Sequence, residues 1–152
     1  MNADYRLIVE FLAGSRTPVA IQSSPLAAAL KAHLLDADAS GKSALCFEPP
    51  DHFIQGARVL QGGTVATMLD FALAFAVLAA LPPERTCTTA SLTTNFLKAA
   101  APGKYVARGT VDRLGTSVAF SSAVLTRADN EQIVATATAV MPIVHLGKVS
   151  RE

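Results

Sequence analysis

At 152 residues, 51% hydrophobic and only 16% charged, the chain has the length of one domain and the wrong composition for intrinsic disorder. Its net charge of +1 and pI ≈ 7.8 leave no electrostatic footprint for nucleic acid. What remains is an apolar excess, 28 alanines included, that asks for a second subunit, a hydrophobic ligand or a membrane.

Residues 1–42 read as a helical N-terminal extension, loosely attached. Tyr5 to Leu12 predicts a short helix, broken by Gly14-Ser15-Arg16-Thr17-Pro18. Asp4 and Glu10 spoil this stretch as a signal peptide, and no cleavage pattern follows, so the chain is expected in the cytoplasm. Ser24-Pro25 starts a second helix, with Ser as N-cap and Pro at the first helical position. That helix is expected to run through Leu26, Leu30 and Leu34 to the Asp-rich stretch before Gly41.

The main domain is expected over 43–144, opening with a strand from Ser43 to Glu48 that Pro49-Pro50 stops. A loop from Asp51 to Leu60 leads to Gly62-Gly63 and then to the longest apolar stretch, Thr64 to Leu81. That stretch just reaches spanning length. Asp70 sits near its middle, however, where a carboxylate costs roughly 2.5–3.5 kcal/mol on insertion. With no Lys or Arg flank before Arg85, the segment predicts the buried helix of a soluble domain and no membrane association.

After Pro82-Pro83 the period changes to two. Cys87 to Leu97 places Ala90, Leu92 and Phe96 on one face and Thr89, Ser91, Thr93 and Asn95 on the other. Pro102-Gly103 is a turn, and Tyr105 to Val111, Ser117 to Thr126 and Gln132 to Val144 follow as strands. Ile133, Ala135, Ala137, Ala139 and Met141 share one face of the last, small enough to admit a helix closely. Connections this short favour an antiparallel sheet. A helix apolar nearly all round must be covered on nearly all sides, and such a sheet curled around it provides the cover. Residues 145–152 form a polar tail.

The chemistry concentrates in Gln61-Gly62-Gly63-Thr64-Val65-Ala66-Thr67-Met68-Leu69-Asp70. Two glycines opening a helix present unpaired N–H groups, a ready site for an oxyanion. Asp70 lies seven residues after Gly63, which brings it back to the same helix face roughly 10 Å up the axis. The plain alternative is a tight Gly-Gly turn with Asp70 capping a loop. An isolated buried carboxylate is costly without partners, which favours a function. Cys46 and Cys87 have neither C-x-x-C nor metal-ligand spacing, and His33 and His145 lack acidic partners at ligand spacing. No metal site is expected, and there is no P-loop or dinucleotide fingerprint to imply a cofactor.

This order of elements around Gly62-Gly63 and Asp70 resembles the hotdog-fold acyl-CoA thioesterases, closest to the phenylacetate-pathway (PaaI-like) type. The turn segment Asn95-Phe96-Leu97-Lys98-Ala99-Ala100-Ala101-Pro102-Gly103 carries part of the likeness. The resemblance covers roughly Ser43 to Val144. It implies an α+β hotdog fold, a curved antiparallel sheet wrapped around a long central helix. It also implies hydrolysis of an acyl-CoA thioester, with Asp70 as general base or nucleophile and the Gly62 and Gly63 amides as oxyanion site.

The family's His-Gly-Gly is here Gln61-Gly62-Gly63, its Asn is replaced by Gln55, and the glycine usual between them aligns with Arg58. Both Gln side chains keep hydrogen-bonding ability, and Gln61 loses titration. A strand hydroxyl assisting the water aligns with Thr89, or with Thr88 given an extra residue in the intervening loop. Arg58, Thr67, Thr88 and Ser91 stand as substrate contacts. The resemblance also implies a homo-oligomer, dimer or tetramer, whose shared site sets Asp70 of one subunit against Gln55 and Gln61 of its neighbour. A medium-chain or aromatic acyl group suits the helix. Lys98, Lys104, Arg108 and Arg113 give a mild positive bias that suits nucleotide phosphates or a solvated face. One alternative is a non-catalytic acyl-CoA-binding protein. Another is a hotdog dehydratase using His52, whose acid falls near Ala66, a residue that cannot serve.

Overall fold

The computed structural model describes residues 1–147, and the tail expected over 145–152 lies outside the described residues from 148 on. In chain order the elements are α1 (Ala3–Ala13), β1 (Val19–Ala20), α2 (Pro25–Ala29), β2 (His33–Asp38), β3 (Lys42–Phe47) and α3 (Gly62–Ala80). They continue with β4 (Arg85–Cys87), β5 (Ser91–Phe96), β6 (Tyr105–Leu114), β7 (Val118–Arg127) and β8 (Ile133–His145). One antiparallel sheet runs β1-β2-β3-β6-β7-β8, and β4 and β5 both pair with the far side of β8. The sheet curves around α3, which gives the α+β hotdog fold, with α1 as an additional N-terminal helix.

The closeness of sheet to helix follows from small residues. Ala107 and Gly109 on β6, Ala119 and Ala123 on β7 and Ala135, Ala137 and Ala139 on β8 are all buried. A Cβ at Gly109 would lie 2.3 Å from the Ala72 carbonyl oxygen, so only glycine admits α3 there. The buried Ser43 hydroxyl donates to that same carbonyl at 2.7 Å, fixing the helix to β3. Met68, Leu69, Leu73 and Phe75 are fully buried, so the apolar length of α3 goes into the core. It is long and apolar enough to cross a membrane, but 61% of it is buried inside the domain.

Three sequence expectations are corrected. The second helix stops at Ala29, because Lys31 takes a left-handed φ of 52° and the chain continues as a strand. Leu26, Leu30 and Leu34 share a helical spacing, yet Leu26 is 46% exposed, and burial of Ala32 and Leu34 follows the two-residue period of a strand. The N-terminal segment is integral, since Ile8, Phe11, Ile21, Ala27 and Leu30 join the one core. Finally, Ile133 leaves the inner face of β8: a register shift at Leu125/Thr126 exposes it to 47% and buries Val134 instead.

Candidate active site

The expected strand from Cys87 to Leu97 is two strands, and the break between them aims a side chain. β4 pairs Cys87 with Ile143, whereas β5 pairs Ser91 with Val140, so the three residues 88–90 oppose only two, Met141 and Pro142. The Thr88 N–H donates to the Pro142 carbonyl and the Ala90 N–H to the Val140 carbonyl. The extra residue therefore falls at Ala90–Ser91, a β-bulge opposite Val140. It reverses the alternation, so Cys87, Thr89 and Leu92 all face the helix. Thr89 thus shares the face of Leu92, not that of Ser91 as uninterrupted alternation predicts.

The result is a hydroxyl on the helix carboxylate: Thr89 Oγ1 donates to Asp70 Oδ1 at 2.8 Å. Asp70 is half-buried, and its second oxygen has no hydrogen-bond partner among the described residues. Cys87 lies beside it, with Sγ 3.9 Å from the Ala74 carbonyl. Burial, and secondarily the Asp70 charge, push the Cys87 thiol up to about 12, which leaves it a neutral wall of the site. Alternation two residues back from Thr89 is the signal that would have found it.

The other end of the site is the start of α3. The Gln61 carbonyl accepts from Thr64 and Val65, and its side chain caps nothing. The Gly62 and Gly63 N–H groups have no acceptor among the described residues, as the first turn of a helix requires. The Phe96 ring lies 3.5 Å from where a Gly62 Cβ would stand, whereas Gly63 faces open space. Gln55, Val59, Gly62, Phe96, Leu97 and Lys98 line a cleft of about 380 Å³ here. Gln61 is exposed at its edge.

The loop before α3 is held from two sides. The Gln61 N–H donates to the Phe53 carbonyl at 3.0 Å and the Leu60 N–H to the Ala100 carbonyl at 2.7 Å. Gln55 Oε1 accepts from the Ala57 N–H at 2.9 Å, which spends its carbonyl on its own turn and leaves the NH₂ without a partner among the described residues. Arg58 closes that turn at φ 60°, a left-handed conformation that favours glycine. The Arg58 guanidinium is exposed.

The remaining predicted contacts divide. The Thr67 hydroxyl is on the open side of α3 but donates to the Gly63 carbonyl at 2.8 Å, inside its own helix. Thr88 and Ser91 fall on the sheet face away from Asp70, and Ser91 borders a separate cleft with Thr93, Asp112 and Phe120. His52 is exposed and stacks on Phe53 at 4.4 Å, while His33 lies on β2 with Nδ1 at 3.0 Å from the Lys31 carbonyl. Among the described residues no three His, Cys, Asp or Glu side chains are grouped to hold a metal. Lys104 pairs with Glu48 at 3.9 Å across exposed side chains, a solvated contact.

A carboxylate with a hydroxyl on one oxygen can direct a water, and free amides at a helix start can polarise a carbonyl. The sequence profile described as the Thioesterase superfamily matches residues 58–134. A search of curated proteins finds no match. Among solved structures, a putative thioesterase from Ralstonia eutropha JMP134, described as phenylacetic acid degradation-related, is 28% identical with a TM-score of 0.76. That alignment covers 89% of this chain and 98% of that one. A thioesterase family protein from Silicibacter pomeroyi is 24% identical with a TM-score of 0.76, over 93% and 96% of the two chains. The PaaI protein of the E. coli phenylacetic acid degradation operon shares the fold at 18% identity and TM-score 0.69, over 77% and 86%. The chain belongs to the thioesterase superfamily, as a hotdog-fold protein related at family level to the PaaI-type thioesterases.

Proposed function

We propose that this chain hydrolyses an acyl-CoA thioester with a medium-chain or aromatic acyl group, and that Asp70 is the base. Membership of a superfamily that binds and hydrolyses acyl-CoA supports the reaction class. The Thr89–Asp70 bond is the observation that carries the residue assignment. It occupies one carboxylate oxygen and leaves the other to take a proton from water. The water oxygen attacks the thioester carbonyl carbon, its proton passes to Asp70, and the carbonyl oxygen becomes an oxyanion held by the Gly62 and Gly63 amides. Such donors are worth about 2.7–4 kcal/mol in other enzymes. Collapse breaks the C–S bond, and the proton on Asp70 passes to the departing CoA thiolate, leaving the free acid.

Gly63 and Asp70 are separated by about 10 Å along α3, too far for one helix to touch a single carbonyl with both groups. That separation supports a site shared in a homodimer, with Asp70 of one subunit facing Gln55, Gln61 and the glycine amides of the other. The free NH₂ of Gln55 and the exposed amide of Gln61 orient the carbonyl or water without titrating. Arg58 contacts a phosphate of CoA.

A non-catalytic acyl-CoA binder is the second reading. It is favoured by one observation, the Gln55 carbonyl spent on its own loop. Thiol release by purified protein from hexanoyl- and phenylacetyl-CoA separates the two. Steady release supports hydrolysis; no release across an acyl panel, with the same thioesters raising Tm, supports binding alone.

A further inference from the structure

α3 is open along one stripe only. Gly63 is exposed, and Thr67, Asp70, Phe71 and Ala74 are half-buried, but Val77 and Leu78 one turn on are buried. These spacings of three and four keep the stripe on one helix face. The opening thus starts at the glycine amides, passes Asp70 and stops one turn beyond it.

α1 packs on α3 with Ile8 and Phe11 buried. Its first turn is tied down twice. Asn2 Nδ2 donates to Thr86 Oγ1 at 2.9 Å, on the residue before Cys87 and three before Thr89. The Ser23 hydroxyl donates to the Asp4 carboxylate. Cys87 Sγ, on the residue after Thr86, lies 3.9 Å from the Ala74 carbonyl, so the strand that Asn2 ties down borders the open stripe of α3.

We infer that α1 closes the acyl end of the groove, latched by the Asn2–Thr86 bond, and so sets the longest acyl group this chain accepts. The inference rests on the thioester reading above. With the carbonyl between Asp70 of one subunit and the glycine amides of the other, CoA leaves on the amide side and the acyl group runs the other way, past Ala74. Four residues of helix give about 6 Å there, room for a short chain or one aromatic ring and not for a long fatty chain. Ala74, with no side chain beyond Cβ, keeps that space free.

The test is a chain-length profile, acetyl- to hexadecanoyl-CoA, on wild type, Asn2→Ala and Ala74→Leu. It is read as kcat/KM, and as the Kd of the matching non-hydrolysable thioether analogues. Asn2→Ala, which removes the latch and the α1 N-cap but no core side chain, is expected to raise the dodecanoyl-to-hexanoyl ratio about fivefold or more. Ala74→Leu is expected to lower the hexanoyl-to-acetyl ratio about tenfold, the scale of a methylene-sized misfit. Ratios unmoved in both variants, at wild-type Tm, overturn the role of α1, and if Asp70→Ala still abolishes turnover they leave hydrolysis standing. No turnover in wild type, with Kd ratios moved as expected, defeats hydrolysis and leaves α1 as the length gauge. Neither turnover nor analogue binding defeats both.

Discussion

At the scale of single residues, Asp70 and Thr89 act as a pair. Removing the hydroxyl while keeping the shape, as in Thr89→Val, deletes a hydrogen bond to a charged group at a half-open site. The expected loss is about three- to tenfold in kcat at unchanged Tm, read by steady-state CoA release. Cys87 makes the opposite prediction. A thiol pushed up to about 12 is thiolate in only about one molecule in ten thousand at pH 8. A thiol reagent at that pH is therefore expected to modify Cys87 only after unfolding; labelling in the native protein at the rate of a free thiol contradicts its placement. Asp70 was legible in the sequence because a lone carboxylate in an apolar helix has a cost that needs explaining. Cys87 was legible only through its alternation with Thr89, since a cysteine without a ligand-spaced partner looks the same whether it sits beside a carboxylate or in any core.

The elements show why some of the reading succeeded and some failed. α3 and the strands β6, β7 and β8 were legible because their periods are long and uninterrupted. β2 was not, because Leu26, Leu30 and Leu34 meet helical spacing by coincidence and nothing in the sequence announces the left-handed turn at Lys31. The bulge at Ala90–Ser91 was also invisible, since one extra residue inverts the face of all that precedes it and leaves composition untouched. It is the bulge that turns Thr89 onto Asp70, which the alternation count could not supply. The contact of α3 with β6 yields the stability prediction of this scale. Gly109→Ala drives a methyl against the Ala72 backbone carbonyl at 2.3 Å, with the Ser43 hydroxyl at 3.0 Å beside it. It is expected to cost about 3 kcal/mol and to lower Tm by roughly 6–12 °C in a thermal melt. A Tm within 2 °C or so of wild type would mean that sheet and helix stand further apart.

At the scale of the whole molecule, the sheet has an unfinished side. β5 pairs with β8 on one side only among the described residues, and its Ser, Thr and Asn side chains carry no charge to guard the other. The Leu97 N–H donates to the Val134 carbonyl, so by alternation the Thr94 N–H points out of the sheet. Thr94→Pro removes that donor and no internal ladder bond. This edge is the candidate seam of the proposed dimer. The variant is therefore expected to run as a monomer by light scattering and to lose CoA release together with its partner. A monomeric variant with full turnover would place the whole site in one chain. The apolar excess of the composition goes in the first place into the covered helix α3. The most direct test of the account is the kcat of Asp70→Ala against wild type on hexanoyl- and phenylacetyl-CoA, in preparations of equal Tm. The account predicts a fall of about 10²-fold or more; turnover within a factor of two or so of wild type would remove Asp70 from the chemistry.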